Sequence, residues 1–368
     1  MLVRPSALLS EHAWIGGCRL RIVVLGLSIT SSWGNGHATN YRALCRALAE
    51  RDHELLFLER DVPWYHGSRD FDAPFVHLYS SLAELRRRFA DDLRRADLVV
   101  VGSFVPEGVE VGEWALATSG GVVAFWDLDT PVTAEKLAAD DREYLSRDLA
   151  GRYDLYLSFT GGPLLERLGA RRPLPFHCLV DADRYRPLGC EPSHALGYLG
   201  TYSADREAAL ERLLLEPARR LPKERFVVGG PQYPESLTWP ANVERRDHVA
   251  PGDHAGFYAA QRLTLNVTRR PMVDAGWSPS VRLFEAAACG VAVVSDPWRG
   301  LETFFVPDEE ILVARSAADV VRFVTELDPD ERAEIGRRAR ARVLAEHAAE
   351  RRAEQLEAYV AKFVEAAA

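Results

Sequence analysis

The chain has 368 residues, 27% charged and 47% apolar, with a formal net charge of −9. That length exceeds one ordinary core and calls for two domains, and the composition is that of a folded protein. The acidic balance argues against a nucleic-acid partner; five scattered cysteines without metal spacing fit a reducing cytoplasm, and no apolar run approaches the roughly 18 residues of a membrane span.

Residues 1–19 contain Arg4, Glu11 and His12, which interrupt any signal-peptide core, and read as a loose leader outside the fold. Residues 21–27 form the apolar run of a strand buried on both faces. The Gly-rich turn Ser31-Ser32-Trp33-Gly34-Asn35-Gly36-His37 follows, then a helix over about 39–51. Further strands are predicted at 55–59, 97–101, 122–127 and 154–158, with helical patterns between them. Gly34, Gly36 and Glu59 superficially resemble a dinucleotide fingerprint. Thr39 replaces its third glycine and the loop from Gly26 is too long, so a nicotinamide cofactor is disfavoured.

His37, above the first strand, is a candidate acceptor base or hydrogen-bond partner; a locally bonded helix-start histidine is the alternative. Asp127 and Asp129 lie just past a strand end, where paired acids suit hydroxyl recognition or proton transfer. Asp129 equally suits the N-cap of a helix over 132–138. Thr160-Gly161-Gly162 forms another strand-end loop, whose glycines admit close approach to a ligand or simply make a turn.

A Pro/Gly-rich stretch over 185–194 reads as a linker. Strands then recur at 196–200, 226–228 and 263–267, with a helix near 254–262. Gly200-Thr201 with Arg206, and Asn266-Val267-Thr268-Arg269, place guanidinium groups after strand ends, where they suit a diphosphate. In the segment 278–290, Ser278 can cap a helix and Pro279 suits its first position; Ser280 and Arg282 complete the first turn. Free N–H groups and the dipole at such a start favour an anion. Glu285, seven residues beyond Ser278 and roughly 10 Å away at helical rise, is placed to accept from ribose hydroxyls. The alternative is an ordinary capped helix with a surface glutamate. Gly290 closes the helix before a strand over 291–294. The tail over 330–363 reads as helix without an early cap, with Leu344, Leu356, Tyr359, Val360 and Phe363 as its buried stripe. Alternation of strand and helix implies doubly wound parallel sheets with ligands at the carboxyl ends of their strands.

The motifs Gly200-Thr201 with Arg206, Asn266–Arg269 and Ser278-Pro279-Ser280-Val281-Arg282-Leu283-Phe284-Glu285 resemble the CgeB-like branch of GT-B glycosyltransferases, relatives of the glycosyltransferase 4 group. Trp33-Gly34-Asn35-Gly36-His37, Asp127-Leu128-Asp129-Thr130-Pro131 and Thr160-Gly161-Gly162 are similar to its N-terminal motifs. The resemblance implies an α/β GT-B fold, with two facing Rossmann-like domains. An acceptor-side domain would cover 20–185, a nucleotide-sugar domain 186–345, and a C-terminal helix, 346–368, would cross back to the first. It further implies metal-independent hexose transfer, without a cofactor, from a nucleoside diphosphate sugar to a hydroxyl of a small molecule or glycan.

On that reading Gly200, Thr201, Arg206, Arg269, Ser278, Pro279, Ser280, Arg282 and Glu285 face the donor. Gly34, Asn35, Gly36, His37, Asp127, Asp129, Thr160, Gly161 and Gly162 face the acceptor, with His37, Asp129 and Arg269 in catalytic roles. The wider group carries a glutamate where this chain has Trp277, and Asp274 is offset from that position, so the resemblance leaves both a retaining and an inverting outcome open. A nucleotide-sugar epimerase of the same fold and a non-catalytic sugar-binding protein are the rival readings, because fold alone does not fix function.

Overall fold

The computed structural model describes residues 19–33 and 36–367; all but Arg19 of the leader expected over 1–19, Gly34 and Asn35 of the first turn, and Ala368 lie outside the described residues. The chain forms two compact units. One runs to Phe176 and takes in the chain again from Arg352; the other is His177–Arg351.

The first unit carries β1 (Arg21–Gly26), β2 (Glu54–Arg60), β3 (Val76–Tyr79), β4 (Leu98–Gly102), β5 (Val122–Asp127), β6 (Leu155–Ser158) and β7 (Pro173–Pro175). They pair in parallel in the order β3-β2-β1-β4-β5-β6-β7. β4 and β5 are buried at every residue, as expected of strands covered by helices on both faces. The second unit carries β8 (His194–Leu199), β9 (Phe226–Gly229), β10 (Val243–Arg246), β11 (Gln261–Asn266), β12 (Ala292–Ser295) and β13 (Leu312–Val313), ordered β10-β9-β8-β11-β12-β13, again all parallel. Each sheet thus reverses direction once, between β1 and β4 and between β8 and β11. At such a switch point the loops leaving adjacent strands diverge and open a crevice at the carboxyl edge. Both Rossmann-like units of a GT-B fold are therefore present.

The tail is not one helix. Asp328 caps the helix Pro329–Glu346 by accepting from the Asp330 N–H at 2.8 Å, and His347 ends it. The break is fixed by pairing: the Val180 N–H donates to the His347 carbonyl at 3.0 Å, and the Ala349 N–H donates to the Val180 carbonyl at 3.0 Å. The His347 ring stacks on Phe284 with centroids 4.2 Å apart. Gly336 lets the first tail helix lie on the Gly290 backbone, because a Cβ there would stand 2.2 Å from the Gly290 carbonyl oxygen.

The second tail helix, Ala349–Ala367, packs on the first unit from Arg352 onward. Leu356 and Val360 are buried. Tyr359 donates to the Pro175 carbonyl at 2.9 Å, and Glu357 accepts from Arg51 at 2.6 Å and pairs with His53 at 2.8 Å. Among the described residues no helix is long and apolar enough to cross a membrane.

Leu356→Ala empties a buried site in the first unit and should cost it about 2–5 kcal/mol. Hydrogen exchange then quickens in β1 to β7 while amides of β8 to β13 keep their protection. Equal loosening of both sets would contradict the assignment of this helix to the first unit.

Candidate active site

In the second unit, three guanidinium groups converge at the switch point of the sheet. Arg282 is buried. Its Nε donates to the Leu199 carbonyl at the end of β8, its Nη1 donates to Asn266 Oδ1 at the end of β11 (3.0 Å), and its guanidinium lies 4.8 Å over the Tyr198 ring. It braces the two strands that flank the crevice. A Cβ on Gly200 would come within 2.7 Å of its Nη2, which explains a glycine at that turn.

Arg206 folds back so that Nη2 donates to the Thr201 carbonyl at 2.5 Å, while its buried Nε has no hydrogen-bond partner among the described residues. Burial, with the like charges of Arg282 and Arg269 beside it, pulls the Arg206 guanidinium below its ordinary pKa. Arg269, exposed, lies 3.7 Å from Asp205. Asp296 supplies a second carboxylate; it accepts from the Thr268 N–H and hydroxyl at 3.0 and 2.8 Å, and burial raises its pKa.

The helix that meets this cluster starts later than its sequence pattern predicts. It spans Val281–Ala288, with Ser280 in the cap position. Ser278 is buried and donates to the Gly276 carbonyl at 3.1 Å, so it does not cap, and Pro279 lies ahead of the first turn. The Ser280 hydroxyl is drawn away to Asn266 Oδ1 at 2.8 Å, and no side chain caps the first amides. The uncapped start therefore keeps its N–H groups and dipole for an anion.

Glu285 lies five residues past Ser280, roughly 7–8 Å at helical rise. It is buried rather than at the surface. Tyr258 donates to it at 3.0 Å, Tyr185 bonds it, and His254 Nδ1 stands 3.7 Å away. Burial alone would raise its pKa, but His254 and the two phenols outweigh that and hold the carboxyl below its ordinary value. A carboxylate has about four acceptor positions, so the two phenols leave capacity for ribose hydroxyls. Sequence reasoning missed Tyr185, His254 and Tyr258, because no spacing rule links them to residue 285.

In the first unit His37 opens the helix His37–Glu50 and is largely buried against Tyr41 and Phe104. Its Nε2 lies 2.8 Å from Asp129 Oδ2. Asp129 occupies the cap position of the helix Thr130–Ala138 but makes no side-chain cap bond there, which leaves its carboxylate to the histidine. The two residues follow β1 and β5, on opposite sides of the switch point.

Asp127, paired with Asp129 in the sequence, has a different fate. It is fully buried and accepts from Tyr156 (2.6 Å), Thr133 (2.7 Å) and the Asp129 N–H (3.2 Å), so it is a hydrogen-bond anchor. Thr160 is buried; its N–H donates to Ser158 Oγ at 3.1 Å and its carbonyl accepts from the same hydroxyl at 2.9 Å. Gly161 and Gly162 lead into a short 3-10 helix, Gly162 at φ +67°. Gly36 precedes the His37 helix, and its carbonyl accepts from Thr39 and Asn40. Glu59 is no ribose ligand: it is fully buried and accepts from Ser28, from the Ile29 and Thr30 N–H groups and from the Thr30 hydroxyl. Among the described residues no group of three His, Cys, Asp or Glu side chains is placed to hold a metal ion.

Burial pushes the Asp127 carboxyl up to about 6 against the pull of its three donors. An acid raised in the folded state adds stability that is whole below its unfolded pKa of about 3.9 and is lost as pH rises through about 6. Asp127→Asn keeps the shape without the charge. Its melting temperature relative to the parent should therefore climb by several degrees between about pH 4 and pH 7. A constant offset across that window would show that the carboxyl ionises normally.

Residues 206–358, less than half of the chain, match the glycosyl transferase-like family. No curated protein matches the chain. Among solved structures, sucrose-phosphate synthase from Thermosynechococcus elongatus is 14% identical over 95% of this chain and 100% of its own, at a TM-score of 0.68. Anabaena HepE, solved with UDP and glucose, is 13% identical over 94% and 100%, at 0.66. An alpha-glucosyltransferase solved with UDP-glucose and DNA containing an abasic site is 13% identical over 94% and 100%, at 0.67. These likenesses carry the fold, and the family match covers Arg206, Arg269 and Glu285. The chain has the GT-B fold, and its residues 206–358 are similar to the glycosyl transferase-like family.

Proposed function

We propose that the protein transfers a hexose from a nucleoside diphosphate sugar to a hydroxyl of a small-molecule or glycan acceptor, without a metal, in the cytoplasm. The nucleotide-sugar role goes to the unit His177–Arg351 and the acceptor role to the unit that runs to Phe176 and resumes at Arg352, in place of the boundaries at 185 and 346 expected from the sequence. One observation carries the reading. Arg206, Arg269 and Arg282 crowd the switch point beside an uncapped helix start, and the buried Nε of Arg206 has no partner among the described residues. Like charges held together this way suit a diphosphate, and Glu285 lies where its ribose would follow. UDP in the HepE and alpha-glucosyltransferase structures is in keeping with this donor class.

In the reaction the acceptor oxygen bonds the anomeric carbon as the bond from that carbon to the phosphate oxygen breaks. The electron pair leaves with the diphosphate, and the acceptor proton passes to the His37–Asp129 pair. Arg206, Arg269 and the helix start meet charge that grows on the leaving group, so they stabilise the transition state more than the ground state. Arg282 acts chiefly through position, with its Nε and Nη1 engaged by Leu199 and Asn266. The net charge of −9 favours a carbohydrate or other small acceptor over a nucleic acid.

Incubation with UDP, GDP, ADP and TDP sugars, with and without acceptor hydroxyls, tests the class. Release of free nucleoside diphosphate with glycoside formation supports transfer; an isomerised nucleotide sugar or an unchanged one overturns it.

Glu285→Gln exchanges a charge-assisted bond for a neutral one and should weaken nucleoside and nucleoside diphosphate binding by roughly 1–2 kcal/mol, about 5- to 30-fold. Arg269→Ala should lower turnover while nucleoside affinity holds, because a nucleoside has no phosphate. Calorimetric titration distinguishes these; equal loss of nucleoside and diphosphate affinity in Arg269→Ala would move that arginine off the diphosphate.

His37→Ala and Asp129→Asn should each cut transfer by about 10²- to 10⁴-fold, the usual range of general-base catalysis, with unchanged nucleoside diphosphate affinity. A His37→Ala protein with parental melting temperature and full activity would remove the pair from the chemistry.

A further inference from the structure

Among the described residues three large apolar side chains are exposed: Trp33, Trp64 and Leu188. The two tryptophans, at 58% and 61% exposure, are related by the fold. Trp33 follows β1 and Trp64 follows β2; these strands are parallel neighbours, with Gly26 opposite Glu59 at their ends. Both loops therefore leave the same carboxyl edge that carries the His37–Asp129 pair.

The loops are tied to one another. Glu59 at the end of β2 accepts from the Ile29 and Thr30 N–H groups of the β1 loop. The Thr30 carbonyl accepts from the Asp70 N–H at 2.9 Å, and Ser31 Oγ donates to the Ser68 carbonyl at 2.9 Å. Ser32 Oγ donates to Asp70, and Arg42 joins Asp70 to the Ile29 carbonyl. The Trp33 N–H donates to Ser31 Oγ, and the Ser68 N–H donates to the Tyr65 carbonyl next to Trp64. These bonds hold both tryptophan-bearing backbones in place, although each indole left in water forgoes roughly the 1.5–3 kcal/mol of burying a large apolar side chain.

The setting of the two indoles selects a ligand chemistry. Ser32, Asp61, His66, Arg69 and Asp70 surround them along the chain with hydroxyl, carboxylate, imidazole and guanidinium groups. A pyranose ring has the matching pair of features, a flat C–H face for an aromatic ring and a rim of hydroxyls for polar groups. An acyl chain would strip water from those charged and polar groups without offering them hydrogen bonds, at a cost. An anionic bilayer is opposed by charge, since residues 61–72 hold Asp61, Asp70 and Asp72 against Arg69 alone among the fixed cations. We propose that Trp33 and Trp64 form the acceptor subsite, and that the acceptor is a saccharide stacked on these indoles. This rests on reading the first unit as the acceptor side.

The test separates the subsite from that reading. Tryptophan emission of the full-length protein is titrated with an oligosaccharide panel without donor, for the parent, Trp33→Ala, Trp64→Ala, Trp33→Phe and Trp64→Phe. At least one saccharide should bind the parent, each alanine variant should weaken it roughly 3- to 10-fold, the scale of one lost aromatic contact, and each phenylalanine variant should restore most of the affinity. The acceptor KM should follow the same order, while nucleoside diphosphate affinity and hydrolysis of the donor by water stay at parental values. The proposal is overturned if no saccharide binds the parent, or if the alanine variants bind as well as the parent at equal melting temperature. Loss of binding to phosphatidylglycerol vesicles in those variants, with saccharide affinity intact, would overturn it in favour of a membrane contact. Saccharide binding in a protein that takes no nucleoside diphosphate would instead fault the donor reading and leave the subsite standing.

Discussion

Three guanidinium groups at one point of a sheet edge repel one another, and the second unit is arranged around holding them there. Arg282 is kept in a buried position by the Leu199 carbonyl, the Asn266 side chain and the face of Tyr198. Asn266 in turn donates to Thr268 and Ser295, and Asp296 anchors the Thr268 backbone, so the ends of β8, β11 and β12 share one hydrogen-bonded frame. Asp205 and Asp296 offset the positive charge in part. An anionic ligand, as proposed, would balance the charge that the protein does not. The same frame takes the Ser280 hydroxyl and so strips the helix start of a cap. A diphosphate would therefore meet fixed cations and free amides without reorganisation, the condition under which electrostatic stabilisation is strongest.

The first unit shows how burial sorts carboxylates with similar positions in sequence. Glu59 and Asp127 both end strands and both are fully buried, with every nearby donor aimed at them. Their work is to fix loops: Glu59 shapes the turn after β1, and Asp127 sets the backbone from which Asp129 projects. Asp129, partly exposed, makes one close side-chain contact, to His37. A carboxylate with spare acceptor positions beside an imidazole suits proton transfer, whereas a saturated buried one suits architecture. Glu285 stands between these cases, buried and held ionised by its neighbours, yet with capacity left.

Much of the fold was legible because parallel strands buried on both faces are apolar over nearly their whole length, as in β1, β4, β5 and β12. The strands that escaped were the short edges β3, β7, β10 and β13, where half-exposed residues dilute that pattern. The helix start at Val281 was displaced because Ser278 bonds back to the Gly276 carbonyl and Ser280 bonds across to Asn266, a partner that capping preference does not encode. The break at His347 was hidden for the same reason, because Val180, far away in the chain, supplies the partner that ends the helix. For the candidate site, motif and spacing singled out the arginines, Glu285, His37 and Asp129. They did not reveal that Arg282 is a brace or that Asp127 is an anchor, since both roles depend on burial and on long-range partners.

The most direct test of the account is a crystal structure of the protein with a bound nucleoside diphosphate. The account predicts the diphosphate on Arg206, Arg269 and the first-turn amides of the Val281–Ala288 helix, with the ribose hydroxyls on Glu285. A diphosphate held instead by the loops of the first unit, or a ribose on Glu59, would contradict it.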